Sequence, residues 1–231
     1  MQNNNLSIIT NFGCIYNCAF CISSSQNTKN DYKFKLKDAR DIRNLLKSGI
    51  YTRLSISGGG EPLYIHNKDI ELLYKFIIKN SIKYNIHLSF HTNFKKPSVK
   101  LAMLSSGNYY KQNYVISIHK EDYLHKFHYW SEANWNSAFN LRFAYVIGYN
   151  SNDLELVTDM LDKIPKDAKL TLKQLDGTVL ENIKDINEIR KLIKNNKNCI
   201  VLESGDYNTY YNLKDNTIYD KFKNINFKET K

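Results

Sequence analysis

The sequence predicts an α/β fold of parallel strands, a TIM-like partial (β/α)6 barrel that is open on one side. Three observations carry this. Short runs rich in β-branched residues alternate with apolar stripes at helical spacing, the pattern of repeated βαβ units. Six such repeats are readable before residue 196 of the 231-residue chain, whereas closing a barrel of this type takes about eight. No Gly/Pro linker, composition shift or internal repeat divides the chain, so residues 1–203 read as one barrel unit and 204–231 as a tail.

The elements follow in order. Leu6 to Thr10 is a short strand, and a cysteine-bearing loop follows it. Residues 22–35, with Ser23, Ser24 and Ser25, are polar and irregular. Leu36, Ala39, Ile42, Leu45 and Leu46 form a helical stripe that stops at Gly49. Arg53 to Ser57 is the second strand and runs straight into Gly58-Gly59-Gly60-Glu61-Pro62; a helix bearing Ile70, Leu73, Phe76 and Ile77 comes next. His87 to His91 is the third strand, ending at Thr92-Asn93, and Pro97 opens a short helix to Ser105. Tyr114 to Ile118 is the fourth strand. Residues 120–140 carry Tyr123, Phe127, Tyr129, Trp130 and Trp135 without clear periodicity, and read as a loop with one short helix.

Leu141 to Ile147 is the fifth strand, closed by Gly148. The stripe Leu154, Val157, Met160, Leu161 and Ile164 is a helix stopped before Pro165. Leu170 to Leu175 is the sixth strand, and Ile183, Ile186, Ile189, Leu192 and Ile193 mark the last clear helix. Cys199 to Leu202 fits a final strand. The tail from Ser204 is polar and aromatic; Tyr207, Tyr210, Tyr211, Tyr219, Phe222 and Phe227 offer area to cover an open edge, while its polar content would equally leave it frayed.

Composition narrows the function classes. No apolar run approaches a membrane span and the start, Met1-Gln2-Asn3-Asn4-Asn5, has no signal-peptide character, so the expectation is a cytoplasmic protein. Four cysteines, three of them clustered, are not a secreted disulfide framework; in a reducing compartment such a cluster is a metal or redox site. The formal net charge of +10 would suit an anionic partner such as nucleic acid or a phosphorylated substrate. Its lysines are scattered, however, with no basic block beyond Lys95-Lys96, the pattern of a solvated surface in a Lys- and Asn-rich chain.

In parallel barrels ligands gather at the C-terminal ends of the strands. That rule places the cysteine loop, the glycine run, Thr92-Asn93, His119, Gly148, and Gln174 with Asp176 on one rim. Cys14, Cys18 and Cys21 stand at C-x3-C-x2-C spacing, so three thiols can converge on one centre. Thiolates suit iron–sulfur clusters and zinc. A zinc site usually uses two pairs of ligands. Here no second pair exists and Cys199 stands alone, although His91 or His119 could complete a zinc set. Three cysteines also leave one iron of a 4Fe–4S cluster without a protein ligand, an open position for chemistry. His125 and His128 have no visible partner ligands and read as surface or core residues.

The cysteine loop after strand one, with Phe20 at its aromatic position, and Gly59-Gly60-Glu61 after strand two resemble the radical S-adenosylmethionine (SAM) superfamily. The resemblance spans about residues 6–203, with its specific motifs in 14–61. It implies that Cys14, Cys18 and Cys21 hold a 4Fe–4S cluster whose fourth iron is chelated by SAM. It implies too that Gly59, Gly60 and Glu61 form the motif that binds SAM's amino group, where glycines let backbone carbonyls approach closely. Ser117 or His119 would hold the ribose hydroxyls, and Val146 and Gly148 would contact adenine. Thr92-Asn93 departs from a Thr-Asn-Gly ending because Phe94 replaces the glycine. Arg142 has the chemistry to pair with the SAM carboxylate but lies at the start of its strand.

The implied activity is reductive cleavage of SAM to a 5′-deoxyadenosyl radical that abstracts hydrogen from a substrate. An external electron donor, flavodoxin- or ferredoxin-like, would reduce the cluster. The substrate stays open: a small molecule, a nucleoside precursor or a peptide, the last including glycyl-radical-activase-like modification of a protein. Peptide-modifying members often carry a cysteine-rich extension, which this sequence lacks. A reading from another class is a non-catalytic iron–sulfur- or zinc-binding regulatory module.

Overall fold

A computed structural model describes residues 4–10, 12–16, 18, 21, 32–94, 112–132, 139–175, 178–194, 196–197, 199–202, 208–221 and 224–225. Strands are β1 (Asn5–Ile9), β2 (Arg53–Ser57), β3 (His87–Thr92), β4 (Gln112–Ile118), β5 (Phe139–Ile147), β6 (Lys169–Gln174), β7 (Cys199–Leu202), β8 (Thr209–Asn212) and β9 (Thr217–Tyr219). Helices are α1 (Leu36–Lys47), α2 (Lys68–Lys83), α3 (Tyr123–Glu132), α4 (Asp153–Lys163) and α5 (Ile186–Lys194), with a 3-10 turn at Leu180–Asn182. The helix expected over Pro97–Ser105 lies outside the described residues, as do Trp135, Tyr207, Phe222 and Phe227.

These elements fall into two compact units. In the first, the strand order is β3-β2-β1-β8-β9. β1 pairs in parallel with β2, Leu6 opposite Leu54, and β2 with β3, Leu54 opposite Leu88. In the second, the order is β4-β5-β6-β7, with β5–β6 and β6–β7 parallel. Among the described residues β9 and β7 each have a neighbour on one side, so the sheet does not close. This unclosed, mostly parallel α/β architecture is the class that the sequence predicts.

Local chemistry explains the helices. Asn67 caps α2 by accepting from the Ile70 N–H at 2.9 Å. Ile70, Leu73, Tyr74, Ile77 and Ile78 are then buried along its inner face. In α1 the buried apolar residues are Ile42 and Leu46. Leu36, counted in that stripe from sequence, is 91% exposed, and its place against the core is taken by Asp38. That carboxylate is buried because it accepts from the Tyr32 hydroxyl at 2.8 Å and the Lys35 N–H at 3.2 Å. α3 turns Tyr123, Phe127 and Trp130 inward, and Phe127 meets Phe143 of β5 edge-on at 4.7 Å.

The tail contributes β8, which adds to the edge of β1 in parallel, Leu6 opposite Thr209 and Ile9 opposite Asn212. β9 then folds back antiparallel on β8. Tyr210 and Ile225 are buried with Ile9, and Tyr219 packs on them. β1 is hydrogen-bonded on both edges, and Leu6, Ser7, Ile8 and Ile9, whose side chains alternate between the two faces, are all buried. A chain ending at residue 203 is expected to aggregate on concentration, because β1 would present an open, apolar edge. Size-exclusion chromatography with light scattering checks this; a monodisperse truncated monomer with an unchanged melting temperature would sink it.

Candidate functional site

In the first unit the ends of β1, β2 and β3 are knitted together by backbone and one carboxylate. Gly13 and Gly60 form an isolated parallel bridge, and the Glu61 N–H donates to the Gly13 carbonyl at 2.9 Å. Gly58, Gly59 and Gly60 all have positive φ, at 70°, 66° and 137°. A Cβ at Gly60 would overlap the Gly13 carbonyl oxygen, so this approach requires glycine. The Glu61 side chain is buried; its Oε1 accepts from the Leu63 N–H at 2.9 Å and the Thr92 hydroxyl at 2.6 Å. Tyr74 of α2 donates its hydroxyl to the Pro62 carbonyl, and the Thr10 hydroxyl reaches the Gly58 carbonyl at 3.4 Å.

The cysteine loop leaves β1 beside this knot. Cys14 and Cys18 are half-buried and Cys21 is exposed. A turn places the Cys21 N–H 3.0 Å from the Cys18 carbonyl. Burial pushes the Cys14 thiol's pKa up, the Tyr16 N–H at 3.4 Å pulls it down, and the nearby Glu61 and Cys21 push it up again. Among the described residues, no three His, Cys, Asp or Glu side chains stand together at metal-binding distance. The donor set nonetheless fits a thiolate-ligated cluster: three soft ligands sit in one loop, two of them half-buried, with a backbone N–H aimed at one sulfur. Phe20 and Asp176 lie outside the described residues.

A feature missed from sequence lies on the face that β1 and β2 share. The Ser55 hydroxyl donates to Ser7 at 3.0 Å, and Ser7 and Ser57 hydroxyls stand 2.8 Å apart. The signal was present in Arg53-Leu54-Ser55-Ile56-Ser57, where serine alternates with buried aliphatics.

In the second unit, Ser117 is half-buried at the end of β4 and His119 follows it. The Ser117 carbonyl accepts from Lys126 Nζ at 2.6 Å. Lys126, also missed from sequence, is fully buried and further bonded to Asn93 Oδ1 at 2.6 Å and Asp122 Oδ2 at 2.8 Å. The His119 N–H donates to Asp122 at 2.9 Å. Burial and then the Lys126 charge lower the His119 pKa, against Asp122 and Glu121. Val146 is half-buried, and Gly148 turns the chain at φ 93°, its N–H donating to Asp153 at 2.6 Å. The same carboxylate accepts from the Tyr145 hydroxyl at 2.7 Å. The Gln174 side chain donates to the Thr178 carbonyl, while His125 and His128 are exposed.

Solved structures share this architecture. SuiB of Streptococcus suis, bound to S-adenosylmethionine, matches 98% of this chain at a TM-score of 0.67 and 15% identity. The chain shares the fold of SuiB. A second SuiB structure, bound to precursor peptide SuiA, covers 87% of the chain at a TM-score of 0.60 and 17% identity, over 49% of its own length. The protein anSMEcpe with bound AdoMet and Kp18Cys peptide covers 84% at 0.55 and 17%, over 63% of its own length. The chain spans 62% of the SAM-bound SuiB chain. No family model and no curated protein matches the sequence.

Two outcomes are expected. Gly60→Ala should cost about 2–3 kcal/mol of stability, since it forces a side chain to positive φ against a carbonyl; urea unfolding measures it, and an unchanged midpoint would contradict the close approach. His119 should titrate below pH 6.5, the ordinary histidine value, and be neutral at pH 7. An NMR titration of its ring resonances checks the sign; a midpoint above 6.5 would show that Asp122 and Glu121 outweigh burial.

Proposed function

We propose that the protein is a radical SAM enzyme, which reductively cleaves S-adenosylmethionine at a 4Fe–4S cluster held by Cys14, Cys18 and Cys21. The observation that carries the proposal is the bridge between Gly13 and Gly60. It sets the cysteine loop directly against the glycine motif, at the strand ends of a fold shared with SAM-bound proteins. When bound, cluster and SAM together supply a 5′-deoxyadenosyl radical, which abstracts hydrogen from the substrate.

The chain's own residues have distinct tasks in this reading. Gly59 and Gly60 present backbone carbonyls to SAM's amino group. Glu61 acts as a buttress, because its Oε1 is committed to Leu63 and Thr92. By the motif resemblance Ser117 and His119 are the candidates to hold the ribose hydroxyls, and a neutral His119 ring suits such hydrogen bonding. The motif resemblance assigns Val146 and Gly148 to contact with adenine and Phe20 to the cofactor.

An external flavodoxin- or ferredoxin-like protein supplies the electron, and the reducing conditions that a thiolate site needs favour the cytoplasm. Among the described residues no helix is long and apolar enough to cross a membrane. Peptides appear with SuiB and anSMEcpe, so a peptide is one substrate class to test.

Anaerobic reconstitution should load about four irons per chain, as one cubane requires. SAM and dithionite should then yield 5′-deoxyadenosine. Cys18→Ala should lose both iron and product, whereas Cys199→Ala, altered in the second unit, should keep both. Stoichiometric zinc in place of iron, or a loaded cluster without 5′-deoxyadenosine, would overturn the reading in favour of a regulatory module.

A further inference from the structure

The two faces of the β5–β6 pair differ in chemistry. Phe143, Tyr145, Ile147, Leu170 and Leu172 are buried, and this is the side that meets the helices. Phe143 packs on Phe127 of α3, and Tyr145 bonds to Asp153 of α4. Strand side chains alternate, so the opposite side is built from Arg142, Ala144 and Val146 on β5 and Lys169, Thr171 and Lys173 on β6. The register sets Arg142 beside Lys169, Ala144 beside Thr171 and Val146 beside Lys173. Three cations and a hydroxyl share this face, and none of the described residues of β5 and β6 is acidic.

Two of these groups are in unusual states. Thr171 is 1% exposed, yet its hydroxyl has no hydrogen-bond partner among the described residues. Buried hydroxyls are normally satisfied, because an unmade bond costs about 1–3 kcal/mol. Lys173 is half-buried and has no acidic partner within ion-pair distance among the described residues. Burial, and then the Arg142 charge, hold its pKa below the usual lysine range. A desolvated ammonium beside a second cation is costly. An arriving anion would relieve that cost and satisfy the Thr171 hydroxyl at the same time. Lys173 lies one residue from the C-terminal end of β6, the end at which parallel sheets present ligands.

We propose that this face of β5–β6 binds an anionic group of the substrate, a carboxylate or a phosphate, through the Lys173 ammonium and the Thr171 hydroxyl, with Arg142 adding positive potential. The inference rests on the proposed activity for there being a substrate, but its binding chemistry is independent of the cluster.

Competitive lysine labelling of the full chain, read residue by residue by mass spectrometry, tests it. Acetic anhydride should modify Lys173 at lower pH than the exposed Lys191. At matched ionic strength, inorganic phosphate or succinate should slow Lys173 labelling several-fold relative to chloride and leave Lys191 unchanged. Protection by phosphate alone assigns a phosphorylated substrate, and by succinate alone a carboxylate. Thr171→Val should weaken the protection while the labelling of Lys191 stays constant. Absence of protection by both anions overturns the inference. Protection by SAM but by neither anion overturns it too, and gives the face to the cofactor. The 5′-deoxyadenosine assay separates the failures. Protection without product leaves the anion site standing and removes the enzyme reading; product without protection does the reverse.

Discussion

The Glu61 carboxylate is the constraint on which the first unit's strand ends depend. It is 2% exposed, and a bare carboxylate so buried would be costly. The cost is offset because Leu63 and Thr92 both donate to it while the Glu61 N–H holds Gly13. One residue thereby joins the loop after β1, the loop after β2 and the last residue of β3. The positive φ of three successive glycines is the backbone's side of the same arrangement, since only there can chain pass close enough to Gly13. The cysteine loop inherits its position from this knot. Its chemistry resides in the thiols, but its placement resides in Gly60 and Glu61.

Much of this was legible in the sequence, for identifiable reasons. The strands carry β-branched runs flanked by turn residues, and period-two patterning survives any tertiary context that buries one face. The cysteine and glycine motifs are local, so spacing alone announces them. What sequence concealed is which charged side chains find enough hydrogen-bond partners to be buried. Asp38 and Lys126 are charged, and patterning assigns charge to the surface. They are buried because Tyr32 and Lys35 serve the first, and Asn93, Ser117 and Asp122 the second. Leu36 was misplaced for the complementary reason, as an apolar residue in a first turn whose inward position Asp38 occupies. In α3 the spacing Tyr123, Phe127, Trp130 is helical, but Tyr129 and the two exposed histidines dilute it below recognition.

The two units carry parallel strands with polar side chains on one face, but of different kinds. In the first, serines bond to one another and leave a short, neutral surface. In the second, long cations crowd one face of β5–β6. Small hydroxyls leave volume for a ligand, whereas lysine and arginine reach out to grip one. The same period-two alternation therefore yields one face lined by neutral hydroxyls and another lined by cations.

The pairing of β8 with β1 has a consequence for biosynthesis. The partners Leu6 and Thr209 lie at opposite ends of the sequence, so β1 leaves the ribosome roughly 200 residues ahead of the strand that completes it. At the usual pace of translation that interval is about 10–40 s, far longer than the microsecond to second times in which small domains fold. During it the nascent chain carries its cysteine loop on a strand bonded on one side at most. Completion of the first unit thus waits for the late synthesis of β8, and until then the nascent chain is a natural client for chaperones that shield unpaired strands.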